Sequence, residues 1–172
     1  MSLTVLLGGA RSGKSALALR LAQDCGAVTF VATGEARDEE MAGRIARHRH
    51  ERPAGWTTIE EPLDLTRVLG EVDSAETLVV DCLSLWVANL LERDEPEAVE
   101  REASAVAGTA AARAGRTIAI TNEVGLGVVP ATPLGRLYRD VLGRVNTAWV
   151  AAADEALLVV AGRALRLEPL AP

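Results

Sequence analysis

Residues Gly8-Gly9-Ala10-Arg11-Ser12-Gly13-Lys14-Ser15 fit the pattern G-x-x-x-x-G-K-[S/T], between a short apolar run, Thr4–Leu7, and a helical stretch, Lys14–Asp24. A strand before and a helix after are what give this pattern structural meaning. Glycines let backbone N–H groups turn inward and approach phosphate oxygens with no Cβ in the way. Lys14 adds a positive charge, Ser15 offers a hydroxyl to a magnesium ion, and the following helix aims its positive dipole end at the phosphates. Gly9, Ala10 and Arg11 are not fixed by the pattern but belong to the same cradle. A bound magnesium nucleoside triphosphate is implied.

The rest of the chain alternates in the same way. Val28–Ala32, Thr77–Val80, Thr117–Thr121 and Leu157–Val160 are short apolar or β-branched runs that read as buried strands of a mainly parallel sheet. Asp38–Glu51, Leu83–Arg93, Glu97–Ala114 and Leu134–Ala152 read as helices between them. This alternation predicts an α/β fold of the phosphate-loop NTPase, RecA-like kind, a sheet flanked by helices. Ala164–Leu167 is a candidate antiparallel closing strand, with Gly162-Arg163 as a two-residue hairpin turn. No linker and no repeat divides the 172 residues, so a single domain over 1–172 is expected.

A net charge of -6 argues against a broad nucleic-acid surface, which requires clustered Lys and Arg. With no apolar run of about 18 residues and an N-terminal stretch too short for a signal peptide, a cytoplasmic location without membrane insertion is expected. Cys25 and Cys82 lack any metal-binding or redox spacing and read as buried apolar filler.

Two further features bear on chemistry. Thr77-Leu78-Val79-Val80-Asp81 is an apolar strand ending in a carboxylate, the arrangement that holds magnesium in phosphate-loop enzymes, although Asp81 could instead cap the helix from Leu83. The helix from Asp38 carries acids in its first turn and bases near its end, together with both histidines of the chain. At about 100° per residue, Met41, Ile45 and His48 share one face, whereas His50 lies about 200° round from His48 on the charged side. Arg44, Arg47, Arg49 and Arg52 concentrate positive charge there, suited to phosphate or, equally, to a solvated face. An imidazole beside an α-phosphorus can attack it and form a phosphoramidate, dividing nucleotidyl transfer into two displacements.

Taken together, GGARSGKS at 8–15, VATGEARDEEMAGRIARHRHERPAGW at 31–56, DCLSLWVANLL at 81–91 and TNEVGLGVVP at 121–130 resemble the bifunctional adenosylcobinamide kinase/adenosylcobinamide-phosphate guanylyltransferase family of cobalamin biosynthesis. The resemblance runs over essentially the whole chain. It implies phosphorylation of adenosylcobinamide and transfer of GMP from GTP to the product, with His48 guanylylated and Lys14 stabilising the transferred phosphoryl group. It further implies nucleotide contacts from Gly8–Ser15, from Thr33, Gly34 and Glu35, from Arg49, His50, Glu51 and Arg52, and from Glu60 and Asp81. Ser15 and Asp81 would hold Mg2+, GTP and ATP would be substrates alongside the corrinoid, and a homo-oligomer, a trimer, would form. Asn146-Thr147 and Ala131-Thr132-Pro133 depart from the family pattern. Asn122-Glu123-Val124-Gly125 follows a strand and falls at the carboxyl edge of the sheet, where open α/β folds bind ligands, with a plain strand-end turn as the alternative. The competing readings are a simple kinase, in which His48 only binds phosphate, and a GTP-dependent switch, which the lack of an N-K-x-D guanine motif disfavours.

Overall fold

The strands are β1 (Ser2–Leu7), β2 (Val28–Ala32), β3 (Thr57–Glu60), β4 (Thr77–Asp81), β5 (Arg116–Ile120), β6 (Glu155–Val160) and β7 (Arg163–Arg166). They form one seven-stranded sheet in the order β3-β2-β4-β5-β1-β6-β7. All neighbours pair in parallel except β6 and β7. The helices are α1 (Lys14–Ala22), α2 (Glu39–His50), α3 (Leu65–Glu71), α4 (Leu83–Leu90), α5 (Pro96–Ala112) and α6 (Pro133–Ala152). The computed structural model describes residues 2–50 and 52–170; Glu51 and the side chain of Arg44 lie outside the described residues. No described helix is long and apolar enough to cross a membrane.

The central strands are buried on both faces, which is why they read as unbroken apolar runs. Side-chain alternation sends Leu3, Val5 and Leu7 of β1 to one layer, with Trp86 and Trp149, and Leu6 to the other, with Phe30 and Ala18 of α1. Helices therefore cover both faces, as the alternating sequence predicts.

Two elements escaped the sequence pattern. β3 is a half-exposed edge strand without an apolar run. α3 is a seven-residue helix, too short for a helical period to register, although Asp64 caps it by accepting the Arg67 N–H at 2.8 Å. The closing hairpin is present, but its turn is Ala161-Gly162, one residue earlier than expected, so β7 begins at Arg163. Both turn residues have positive φ, 48° and 74°, as a two-residue turn matching the strand twist requires. Thr132-Pro133 opens α6: the Thr132 hydroxyl accepts the Gly135 N–H at 3.1 Å and proline takes the first turn. That departure from the family pattern is thus helix-starting chemistry.

Strand order positions the site. Because β5 lies between β1 and β4, the phosphate loop after β1, the chain after β5 and Asp81 at the end of β4 share one carboxyl edge. The loop is braced from two sides, by Gly162 N–H donating to Ser12 O at 2.8 Å and Glu123 N–H donating to Gly8 O at 3.1 Å. Gly8 has φ 152°, and a Cβ there would fall 2.2 Å from Val159 O, so the loop can pass the hairpin only as glycine.

The opposite edge is held by Arg113, which donates to Asp73 O and Glu76 O, each at 2.9 Å. Beside it a Cβ on Gly115 would lie 2.4 Å from Glu76 O and 2.6 Å from Ala75 O. Gly115→Ala is expected to cost about 1–3 kcal/mol, because the clash is with backbone that must shift. Urea denaturation should show the lowered midpoint while nucleotide affinity, set at the far edge, holds; an unmoved midpoint would sink this account of the turn.

Candidate active site

Lys14 is buried in the first turn of α1, and its ammonium donates to Gly8 O at 2.8 Å, Gly9 O at 2.7 Å and Ser12 Oγ at 3.4 Å. The charge is thus held over the loop's own concavity. Arg11 (φ 56°) and Gly13 (φ 104°) take positive φ among residues that do not, the alternation that turns successive N–H groups into an anion-receiving nest. Gly9, Ala10 and Arg11 form the exposed rim.

Ser15 Oγ donates to Asp81 Oδ2 at 3.1 Å. This corrects the capping alternative: the cap position of α4 belongs to Cys82, and Asp81 points to the phosphate loop. No group of three or more His, Cys, Asp or Glu able to hold a metal occurs among the described residues. A hydroxyl and a carboxylate side by side fit magnesium, which takes one or two protein ligands and completes its octahedron with phosphate oxygens and water.

α2 starts where Asp38 accepts the Met41 N–H at 2.7 Å. His48, Met41 and Ile45 line one small cavity of about 40 Å³ together with Gly34, Arg52 and Asp81, as the shared helical face predicts. That volume holds a few waters, so a triphosphate must lie along the open surface beside it. His48 Nδ1 stands 3.8 Å from Asp81 Oδ2, beyond hydrogen-bond range but close enough to pair when protonated. His50 is exposed on another face of α2, in a separate groove with Ala36, Ala42 and Arg49.

Arg52 stacks its guanidinium 3.8 Å from the centroid of Phe30 and donates to Thr58 Oγ1 at 3.3 Å. Its buried Nε has no hydrogen-bond partner. Burial lowers its pKa, and the Asp81 carboxylate pulls the other way. A half-buried cation with an unsatisfied donor is prepared for an anion. Arg49 and Glu60 meet at 3.4 Å, both exposed, a pairing worth little to stability that leaves them accessible.

Other expected contacts are placed differently. The Thr33 hydroxyl is fully buried, donating to Cys82 O at 2.7 Å and accepting the Cys82 N–H at 2.8 Å. It latches the ends of β2 and β4 together and presents no free side chain. Gly34 lines the cavity, where a Cβ would press on Leu85 Cδ1 at 3.2 Å. Glu35 pairs with Arg37 at 2.7 Å, and Arg37 also bonds Asn89 Oδ1 at 3.0 Å and Glu92. Cys82 is the buried thiol expected, whereas Cys25 is half-buried and bonds Leu21 O at 3.3 Å.

Sequence reasoning passed over a polar network under the edge. Asn146 is buried, accepting the Thr121 hydroxyl at 2.7 Å and donating to Asn122 O at 3.0 Å. Asn122 Nδ2 in turn donates to Ser84 Oγ at 3.0 Å. An asparagine within a helical stretch carries no local signal for such a role.

Residues 4–167 match the model of the CobU family, described as cobinamide kinase / cobinamide phosphate guanyltransferase. The chain is 46% identical over 170 residues to the bifunctional adenosylcobalamin biosynthesis protein CobP of Pseudomonas aeruginosa, covering 96% of this chain and 98% of that protein. It is 35% identical over 178 residues to the bifunctional adenosylcobalamin biosynthesis protein CobU of Escherichia coli, covering 95% and 98%. The CobU protein of Salmonella typhimurium is similar at 36% identity over 179 residues, again covering 95% and 98%. Among solved structures, the RadB recombinase aligns with TM-score 0.52 at 19% identity, covering 91% of this chain and 73% of that one. A type III secretion ATPase aligns with TM-score 0.55 at 11% identity, covering 91% and 50%. These two likenesses bear on the fold, which is that of phosphate-loop ATPases.

Tyr138, the sole tyrosine, donates its hydroxyl to Ser84 O at 3.0 Å beneath this edge. Burial pushes its pKa from 10.0 up to about 12, with Cys82 adding to the rise. The unfolded chain therefore loses this proton first, so stability falls with rising pH between about 10 and 12 and is unaffected by this group below that window. Tyrosinate absorbance should show a single transition near 12 in the folded protein; a transition near 10 would mean the ring is not buried as described.

Proposed function

The chain belongs to the cobinamide kinase / cobinamide phosphate guanyltransferase family, and from that premise we propose how its residues divide the two reactions. It phosphorylates cobinamide and guanylylates the cobinamide phosphate that results, the two activities by which its family is described. The observation that carries the division of roles is Asp81, which bonds Ser15 of the phosphate loop at 3.1 Å and faces His48 at 3.8 Å across one cavity.

In the kinase step the Gly8–Ser15 loop binds the triphosphate of ATP or GTP, and Lys14 exchanges its loop carbonyls for phosphate oxygens. Positioning and charge stabilisation supply most of the rate. Magnesium held by Ser15, Asp81 and the phosphates would neutralise charge developing on the transferred group.

In the guanylyl step His48 attacks the α-phosphorus of GTP and pyrophosphate leaves. With Nδ1 turned to Asp81, Nε2 is the nitrogen free to attack. Arg52, with its unsatisfied Nε, and Arg49 draw off charge on the departing pyrophosphate. The phosphate of the phosphorylated corrinoid then displaces the histidine, giving adenosylcobinamide-GDP. Glu60 and the segment Gly34-Glu35 belong to the guanosine side of this reading, as do His50 and Glu51. A single domain over 1–172, a homo-oligomeric, trimeric assembly and no nucleic-acid partner complete it.

Incubation with GTP labelled at the α-phosphate and magnesium, then denaturation, should leave acid-labile, base-stable label on the wild type and none on His48→Ala. Absence of label on wild type that binds GTP would overturn the covalent route and leave a kinase in which His48 binds phosphate. Initial rates of guanylyl transfer should give the parallel-line pattern of a ping-pong reaction.

A further inference from the structure

We propose that the segment 122–134 receives the corrinoid and that Glu123 takes the proton from its hydroxyl in the kinase step. This rests on the reading that the phosphate loop serves that step. β5 lies between β1 and β4, so the chain leaving β5 emerges between the phosphate loop and Asp81, alongside the position of a γ-phosphate. Asn122 is tied there from both sides, by Ser84 of α4 and Asn146 of α6, each at 3.0 Å. Glu123 follows, with its N–H on Gly8 O at 3.1 Å, so its backbone rides on the first glycine of the loop.

The Glu123 carboxylate is half-buried and turned back on its own segment, one oxygen accepting the Gly125 N–H at 2.6 Å. A Cβ at residue 125 would lie 2.9 Å from that oxygen, so the pose depends on glycine there. The other acids of this edge are engaged: Asp81 by Ser15, Glu35 by Arg37 beyond β4, and Glu60 by Arg49 at the margin of the sheet. Glu123 forms no ion pair among the described residues, leaving its second oxygen a carboxylate base beside the loop.

The residues that follow suit an acceptor with wide apolar faces. Leu126, Val128, Val129 and Leu134 are 82%, 96%, 61% and 69% exposed, a concentration of bare apolar surface that marks a binding region. It is continuous with Glu123, whereas the α2 side of the site offers Arg49 and Arg52, suited to a nucleotide. A corrinoid macrocycle lying on this segment would bring its pendant hydroxyl towards Glu123. In the reaction the hydroxyl oxygen forms a bond to the γ-phosphorus, and the bond from that phosphorus to the β–γ bridging oxygen breaks. The nucleoside diphosphate leaves with that electron pair, and the hydroxyl proton passes to Glu123 and then to water.

Glu123→Gln separates base from brace, because the amide oxygen still accepts the Gly125 N–H but cannot take the proton. With adenosylcobinamide as acceptor, kcat for phosphorylation should fall at least about 100-fold, the donor KM should stay within about twofold, and α-labelling by GTP should be unchanged. Near wild-type phosphorylation in Glu123→Gln, or a parallel loss of labelling, would overturn the assignment. The double variant Leu126→Ser/Val128→Ser should raise KM for adenosylcobinamide about tenfold without changing donor KM or solution mass. An altered mass with unchanged corrinoid KM would overturn the placement and make the segment a contact between copies. Failure of wild type to label at His48 would leave the phosphorylation assays interpretable, so the two readings fail separately.

Discussion

A buried ammonium must be fully engaged, and the arrangement around Lys14 follows from that requirement. The residue is 7% exposed, and removing an uncompensated charge from water would be prohibitive. Gly8 O, Gly9 O and Ser12 Oγ supply acceptors for it, which obliges the loop to curl over its own lysine. That curl needs positive φ at Gly8 and Gly13, and the close approach of Gly8 to Val159 O needs the β6–β7 hairpin in its place. The same curl gathers N–H groups into a concavity, so solvating the lysine and binding phosphate are one structural solution.

Asp81 carries the corresponding constraint on the acidic side. It ends a strand buried on both faces, so its backbone position is fixed by the sheet, and the Thr33 latch fixes the Cys82 peptide that follows. A carboxylate so placed is within reach of the phosphate-loop serine and the α2 histidine together. One carboxylate therefore faces a hydroxyl of the phosphate loop and an imidazole of α2 at once.

The legible parts of this molecule were those encoded locally. A strand, a glycine turn and a helix follow one another within Ser2–Ala22, and Met41, Ile45 and His48 share a face by helical geometry alone. Asp81 was legible as a strand-end acid, but that it faces the phosphate loop and does not cap α4 depended on Ser15, 66 positions away in sequence. Contacts made across such distances have no sequence period. Thr33 appeared as a ligand contact beside Gly34, yet its hydroxyl is spent on Cys82; Asn89 looked like one more helical residue, yet it joins Arg37 to Thr33 O and Pro62 O. β3 went unseen because an edge strand needs no apolar run, and with it went the reason Glu60 stands at the binding edge.

The two halves of the site also differ in how firmly they are built. The phosphate loop and Asp81 stand on strands whose side chains fill two cores. α2 has no fully buried side chain among those described, and its apolar contribution is little more than Met41 and Ile45. Elements with few buried contacts open at lower free energy than the core that carries them. The His48 side of the site is therefore the more loosely mounted, and the phosphate-loop side the more rigid. The sequence writes this difference as composition: apolar β-branched runs under the loop and Asp81, and a polar helix with acids in its first turn and bases towards its end around His48.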